Sequence, residues 1–339
     1  MTAETAYSSR PEGSRLRDTL AAHAQVLAIA AFFITCCLLF TVITDHFLST
    51  GNLLNLIRQA APMLIVAIAM TLVITTGGID LSVGSTLALT NAVAAIALQG
   101  GLPWPLVVVA ILAMGALIGA FQGFFVAYQG IPSFIVTLAG LSALRGFALL
   151  LTQGYSIPIP PSTFTELGRG SLLGIPIPAL IAVLVAIVGF VVLDWTRYGR
   201  QVIAIGSNAE AARRVGMPSK RVAASVFVLS GLAAALAGLI VAARLGSGSS
   251  NAAVGFELEV IAAVVLGGTS LMGGRGTMIG TVLGALTIAV IGNGLILAHV
   301  SPFFTQIVTG AIILLAIWLN TRIFSRLSTT RRPSVRGGA

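Results

Sequence analysis

One carboxylate, Asp80, sits in Thr75-Thr76-Gly77-Gly78-Ile79-Asp80-Leu81-Ser82-Val83-Gly84-Ser85, between two runs apolar enough to cross a bilayer. A carboxylate at the centre of a spanning helix costs about 2.5–3.5 kcal/mol, so it should face protein or water. Two chemistries suit it. As a proton relay it would be the coupling carboxylate of a secondary transporter. As a cap it would accept hydrogen bonds where a helix starts near Ser82 and hold the Gly-Gly break in shape. A relay needs further ionisable groups in neighbouring helices, and the sequence offers only Arg145 and Arg275, which favours the cap.

A second glycine-rich run, Gly267-Gly268-Thr269-Ser270-Leu271-Met272-Gly273-Gly274-Arg275-Gly276-Thr277, repeats the Gly-Gly-x-x-Leu of 77–81. Short, glycine-interrupted segments in both halves of a membrane chain are a mark of transporters and suggest an internal repeat. Gly77, Gly78, Asp80, Ser82, Gly267, Gly268, Thr269 and Ser270 are therefore candidates for broken helices or the lining of a translocation path.

The third constellation is Asp194 to Val222, which carries Arg197, Arg200, Arg213, Arg214, Lys220 and Arg221 between two apolar runs. Ser207 and Glu210 have the Ser-x-x-Glu spacing of a capping box, and Gly216 and Pro218 supply a stop and a new start. The spacing predicts a short docking helix flanked by basic turns. A plain topology-setting loop would carry the same charges, because Lys and Arg collect on cytoplasmic loops in any case.

On the other side, Gln153 to Pro176, with Ile-Pro-Ile-Pro-Pro at 157–161, reads as an extended external excursion rather than a helix. Leu245 to Glu257 is a Gly- and Ser-rich external segment. Arg244, Glu257 and Glu259 are candidates for external docking, or connectors in which Arg244 pairs with one of the glutamates.

Other chemistry is excluded. The sole lysine, Lys220, follows Pro218-Ser219, so there is no phosphate-cradling P-loop, and neither H-E-x-x-H nor G-x-S-x-G occurs. Cys36 and Cys37 are adjacent, and His23, His46 and His299 fall in three separate segments, so neither set has metal-ligand spacing. No catalytic residue, metal or cofactor is expected on this chain.

The elements that must position these residues follow from composition. The chain has 339 residues, 57% hydrophobic and 9% charged, with a mean hydropathy of +1.01, which is the composition of a polytopic, all-α membrane domain. The net charge of +9 lacks the aromatic-basic interleaving of a nucleic-acid binder. Residues 1–20 are expected to form a polar cytoplasmic tail, 21–321 a single transmembrane domain and 322–339 a basic cytoplasmic tail. Ten spans are expected: 21–43, 60–77, 83–99, 105–127, 133–152, 177–193, 223–243, 258–272, 277–297 and 303–321, with short or broken helices near 77–85 and 267–277. The second and eighth run into glycine pairs and are the ones expected to be incomplete. An even number of crossings places both termini beside the 194–222 loop. That side holds most of the 19 Lys and Arg, so both ends are expected to be cytoplasmic.

The runs GGIDLSVGS at 77–85, IPSFIVTLAGLSALRGFALLLTQG at 131–154, GSNAEAARRVGM at 206–217 and AAVVLGGTSLMGGRGT at 262–277 resemble the permease subunits of bacterial sugar importers of the ABC type, ribose-type branch. The resemblance covers about 50–321. It implies a multi-pass protein of the bacterial inner membrane that passes a monosaccharide or similar small polar solute. It also implies a two-permease core, usually a homodimer, with cytoplasmic ATPase subunits that bind ATP and Mg, and a periplasmic or lipid-anchored sugar-binding protein. Ser207, Glu210, Ala211, Ala212, Arg213 and Gly216 would then belong to the helix that couples to the ATPase. The alternative is a stand-alone ion-coupled transporter with Asp80 as its coupling carboxylate.

Overall fold

The computed structural model describes the backbone of residues 12–301 and scattered positions from 304 to 314, with side chains from Val26 onward. The expected span at 303–321 is described only at those scattered positions, and both chain ends beyond these limits lie outside the described residues. Helix α1 (Glu12–Ile43) begins inside the stretch expected to be a tail.

Ser49 accepts a hydrogen bond from the Asn52 N–H and so caps α2 (Thr50–Thr75), which is 26 residues long. Helices α3 (Val83–Gln99), α4 (Trp104–Ala127), α5 (Ser133–Thr152), α7 (Ile177–Phe190), α10 (Ser219–Leu245), α11 (Phe256–Leu266) and α12 (Met278–Leu297) follow the expected runs closely. Among the described residues seven helices are long and apolar enough to cross a membrane; α7 qualifies because a π-helical turn extends it to Trp195.

The incomplete crossings are not the expected pair. The second span, begun at Thr50, is complete, whereas the third, α3, has 17 residues and the eighth, α11, only 11. At 1.5 Å per residue α11 covers about 16 Å of a hydrocarbon core about 30 Å thick. Irregular chain from Ser249 to Gly255, expected to be external, runs in beside α3 and α5 and leads into α11.

Helices α2 and α10 form the centre: 78% and 72% of their spanning windows are buried, against 11% for α5 and 17% for α1. α10 packs on α2, α3 and α4, while α2 also packs on α7, α11 and α12. Without a hydrophobic force between helices in lipid, close approach of small residues does the work. Gly115, Gly119 and Gly123 of α4 lie on Gly231, Phe227 and Ala224 of α10, and a Cβ at any of the three would run into the facing backbone.

Away from the basic loop, the 153–176 segment is more folded than the extended excursion expected. Strand β1 (Ile157–Pro158) pairs antiparallel with β4 (Ser247–Gly248). A short helix α6 (Glu166–Arg169) precedes a hairpin of β2 (Ser171–Leu172) and β3 (Ile175–Pro176). Phe164 is fully buried beneath this cap.

Candidate functional site

The basic loop holds two helices where one was expected. Thr196 caps α8 (Arg197–Ser207) by accepting from the Gly199 N–H at 3.2 Å. α8 is amphipathic, burying Gly199, Val202 and Ile205 against the bundle and leaving Arg197 and Arg200 exposed. Tyr198 ties it to α10 through a 2.7 Å hydrogen bond with Ser225, and burial raises the phenol above its ordinary range.

The expected capping box is corrected by one residue. Ser207 closes α8 and donates back to the Ile203 carbonyl at 2.9 Å. Asn208 is the cap of α9 (Ala209–Arg214), accepting from the Ala211 N–H at 2.9 Å. Extended backbone at Asn208 separates the helices, and Asn caps as well as Ser. Glu210 faces forward to Arg213 and Arg214 at 2.6 and 3.1 Å, and hydrogen bonds from Arg214 and then Arg213 hold its carboxyl below the usual range. The contribution of these pairs to α9 is therefore full at neutral pH and is lost as pH falls through the lowered value. Ala212 alone is buried; Ala211, Arg213 and Arg214 are exposed, and Val215 is 73% exposed. Gly216 ends the helix with φ +81°, a conformation that L side chains avoid.

The two glycine breaks meet each other and α8. Gly274 N–H donates to the Thr75 carbonyl at 2.9 Å. A Cβ on Gly206 would strike Thr75 O and Gly274 N, one on Gly273 would strike Gly77 N, and one on Gly274 would strike Ser207. Three segments distant in sequence thus touch backbone to backbone. Gly206 is the residue that sequence reasoning missed: it lies in the 206–217 run, but its neighbours are set only by the fold.

Within the first break, Asp80 is 1% exposed. Its Oδ1 accepts from Ser82 N–H at 2.9 Å and Ser82 Oγ at 2.7 Å, and its Oδ2 accepts from Ser230 Oγ of α10 at 2.6 Å. All its described partners are serines. Arg145 is elsewhere, and Arg275 is exposed in the second break. The backbone of Ile79 is satisfied from α5, with Ser133 Oγ accepting its N–H and Thr137 Oγ donating to its carbonyl. Gly78 packs on Phe227, whereas Gly77 takes a positive φ at the turn out of α2.

In the second break Gly267 packs on Gly280, Gly268 has φ +92°, Thr269 Oγ accepts the Thr277 N–H at 3.3 Å and Ser270 N–H donates to Arg275 O at 3.0 Å. Its tip presents Met272, 86% exposed, on the same end as Val215.

Arg145 proves to be a clamp on the irregular 249–255 segment. Its guanidinium donates to the carbonyls of Ser250, Ala252 and Ala253 at 2.6, 3.0 and 3.3 Å, satisfying acceptors that lipid could not. Glu257 lies nearby and turns inward against Gly84, with Oε2 buried and unpaired. Arg244 forms no ion pair with Glu257 or Glu259. Glu259 is exposed in a cleft of about 690 Å³ between α2, α11 and α12, beside Gln59 and Asn293. The three external candidates therefore do not form one surface.

Residues 52–317 match the family described as "Branched-chain amino acid transport system / permease component". The chain belongs to this permease family. It is 40% identical to the probable ABC transporter permease protein YphD of Escherichia coli K12, over 95% of this chain and 98% of that protein. It is 42% identical to the ribose import permease RbsC of Haemophilus influenzae, covering 82% and 87% of the two chains, and 36% identical to the xylose transport permease XylH of Escherichia coli K12, covering 88% and 92%. No solved structure matches. The chain is thus a multi-pass inner-membrane transport subunit, not an enzyme, and works with ATP-binding and substrate-binding partners. The ion-coupled alternative loses its ground, since relatives and site chemistry both point away from a coupling carboxylate.

Proposed function

We propose that this chain forms the translocation path of an ATP-driven importer for a monosaccharide or similar small polar solute, and that it receives the ATPase stroke through α9. The observation that carries the coupling is the backbone junction of Thr75, Gly206 and Gly274, which links the loop to both helix breaks without side-chain slack. A push on α9 reaches α2–α3 and α11–α12 together. Val215 and Met272, each apolar and exposed, are what an ATPase subunit would seat upon. ATP and Mg would be bound by that subunit.

The sugar assignment rests on the ribose and xylose permeases among the relatives. In keeping with them, we place the basic loop and both termini in the cytoplasm, two copies of the chain in the core, and a periplasmic or lipid-anchored binding protein at the opposite end. Gly78 and Gly267 act as close-packing points, Gly77 and Gly268 as the positive-φ turns of the breaks, and Ser82 holds Asp80 in place. Reconstitution of the chain with its ATPase and binding protein tests the reading: uptake should need all three components and ATP. Uptake by the chain alone, driven by an ion gradient, overturns it.

A further inference from the structure

At the end of the bundle opposite α8 and α9, three arginines from three elements converge. Arg58 lies in the third turn of α2, Arg169 ends α6 and Arg244 lies in the last turn of α10. Arg169 Nε donates to the Arg244 carbonyl at 2.8 Å, and its guanidinium lies beside Gly246. Arg58 lies on α2, which packs along α10, so its charge acts on that of Arg244. Among the described residues none of the three pairs with a carboxylate. Arg58 Nε and Arg244 Nη1 are buried without a hydrogen-bond partner. Gathered positive charge, partly desolvated and without a carboxylate, is costly unless an anion offsets it.

A second feature beside the cluster says what kind of anion. The β2–β3 hairpin starts two residues after Arg169, and β3 packs on α2 and α7. Its turn is Leu173-Gly174, with φ +53° and +80°, where Asn-Gly is the usual choice. Leu173 is 96% exposed and Leu172 60%. A large apolar residue held at the tip of a turn, against its backbone preference, needs an apolar surrounding. The hairpin leads straight into spanning helix α7, so that surrounding is at hand in the bilayer.

We propose that Arg58, Arg169 and Arg244 hold the phosphate of an anionic phospholipid, with the Leu172–Leu173 tip seated among its acyl chains. Guanidinium donors suit phosphate oxygens, and with Arg58 and Arg244 only half-buried and Arg169 exposed, a headgroup in the membrane plane has access to the cluster. A free phosphate would leave the leucines without a role. An acidic face of a soluble protein would leave them in water.

The importer, purified with its ATPase subunit, is placed in nanodiscs of phosphatidylcholine alone or with an equal share of phosphatidylglycerol. Bound lipid is counted by native mass spectrometry, and thermal unfolding is followed in parallel. The expected result is preferential retention of phosphatidylglycerol and a higher Tm in the mixed discs. Arg169→Gln, an exposed position that tolerates the change, should lower retention roughly fivefold, as should Arg58→Gln. Leu173→Ser should lower it with every charge in place. Equal retention by wild type and variants, or no preference for phosphatidylglycerol, overturns the proposal. So does inorganic phosphate reproducing the Tm rise in phosphatidylcholine discs, which would mark a free-anion site. Loss of binding-protein stimulation in Arg169→Gln, equal in both discs, would mark a protein-docking site and also overturn it.

Discussion

Asp80 is organised by three hydrogen bonds, from Ser82 N–H, Ser82 Oγ and Ser230 Oγ, and its best substitute is therefore set by donor and acceptor rather than by charge. In Asp80→Asn the amide oxygen still accepts from Ser82, and the Ser230 hydroxyl turns from donor to acceptor. Transport by the assembled complex should stay within a fewfold of wild type, with an unchanged pH profile. Asp80→Leu leaves buried donors unpaired at about 1–3 kcal/mol each, and should reduce the yield of folded complex in size-exclusion chromatography. Loss of transport in a well-assembled Asn variant would return the residue to a proton-relay role. Gly206 makes a sharper case. Because a Cβ there meets Thr75 O and Gly274 N, Gly206→Val must separate α8 from both breaks. ATPase binding should survive, whereas solute-stimulated ATP hydrolysis falls by tenfold or more, about 1.4 kcal/mol of coupling. Intact stimulation in that variant would show that the junction transmits nothing.

At the scale of elements, α9 is a six-residue helix that does not stand by itself. It is held by the Asn208 cap, the Glu210 pairs and one buried side chain, Ala212. Gly216→Pro sets φ near −65° where the chain needs +81° and removes the N–H that reaches Arg213 O at 3.0 Å. Ala212→Asp drives a carboxylate into the core. Both should lose co-purification of the ATPase subunit, while Arg200→Gln, on the solvent side of α8, should bind and transport normally. Normal transport in both loop variants would leave 194–222 as a topology loop. The patterns behind this element were partly legible: the stop at Gly216 and the basic flanks are sequence features. The cap was misread because Ser207 fits a capping pattern as well as Asn208 does, and only the backbone shows which of them leaves the helix.

For the whole molecule, the path of 249–255 into α11 depends on α5 through Arg145. Arg145→Leu leaves three carbonyls, Ser250, Ala252 and Ala253, without a donor at depth, and should lower the Tm of detergent-purified protein by several degrees. Arg145→Lys, a point charge in place of a planar fork, should recover part of that loss. A wild-type Tm in the Leu variant would mean that water or lipid headgroups supply the bonds instead.

Residue order alone shows that this is an all-α membrane chain, where most of its spans run, and that breaks fall at both glycine pairs. Hydropathy over about 20 residues and the backbone demands of Gly-Gly are local properties, so local reading suffices. It did not determine that α2 is complete and α3 short, because a glycine pair between two apolar runs does not show which of the two has already crossed. Nor did it place Arg145 on three carbonyls, Arg244 beside Arg58 and Arg169 instead of Glu257, or Gly206 between two breaks. Those are contacts between residues tens to hundreds of positions apart. Which polar group finds which partner is decided only when packing of α2, α10 and their neighbours fixes the distances, because in lipid every buried donor and acceptor must be answered from within the fold.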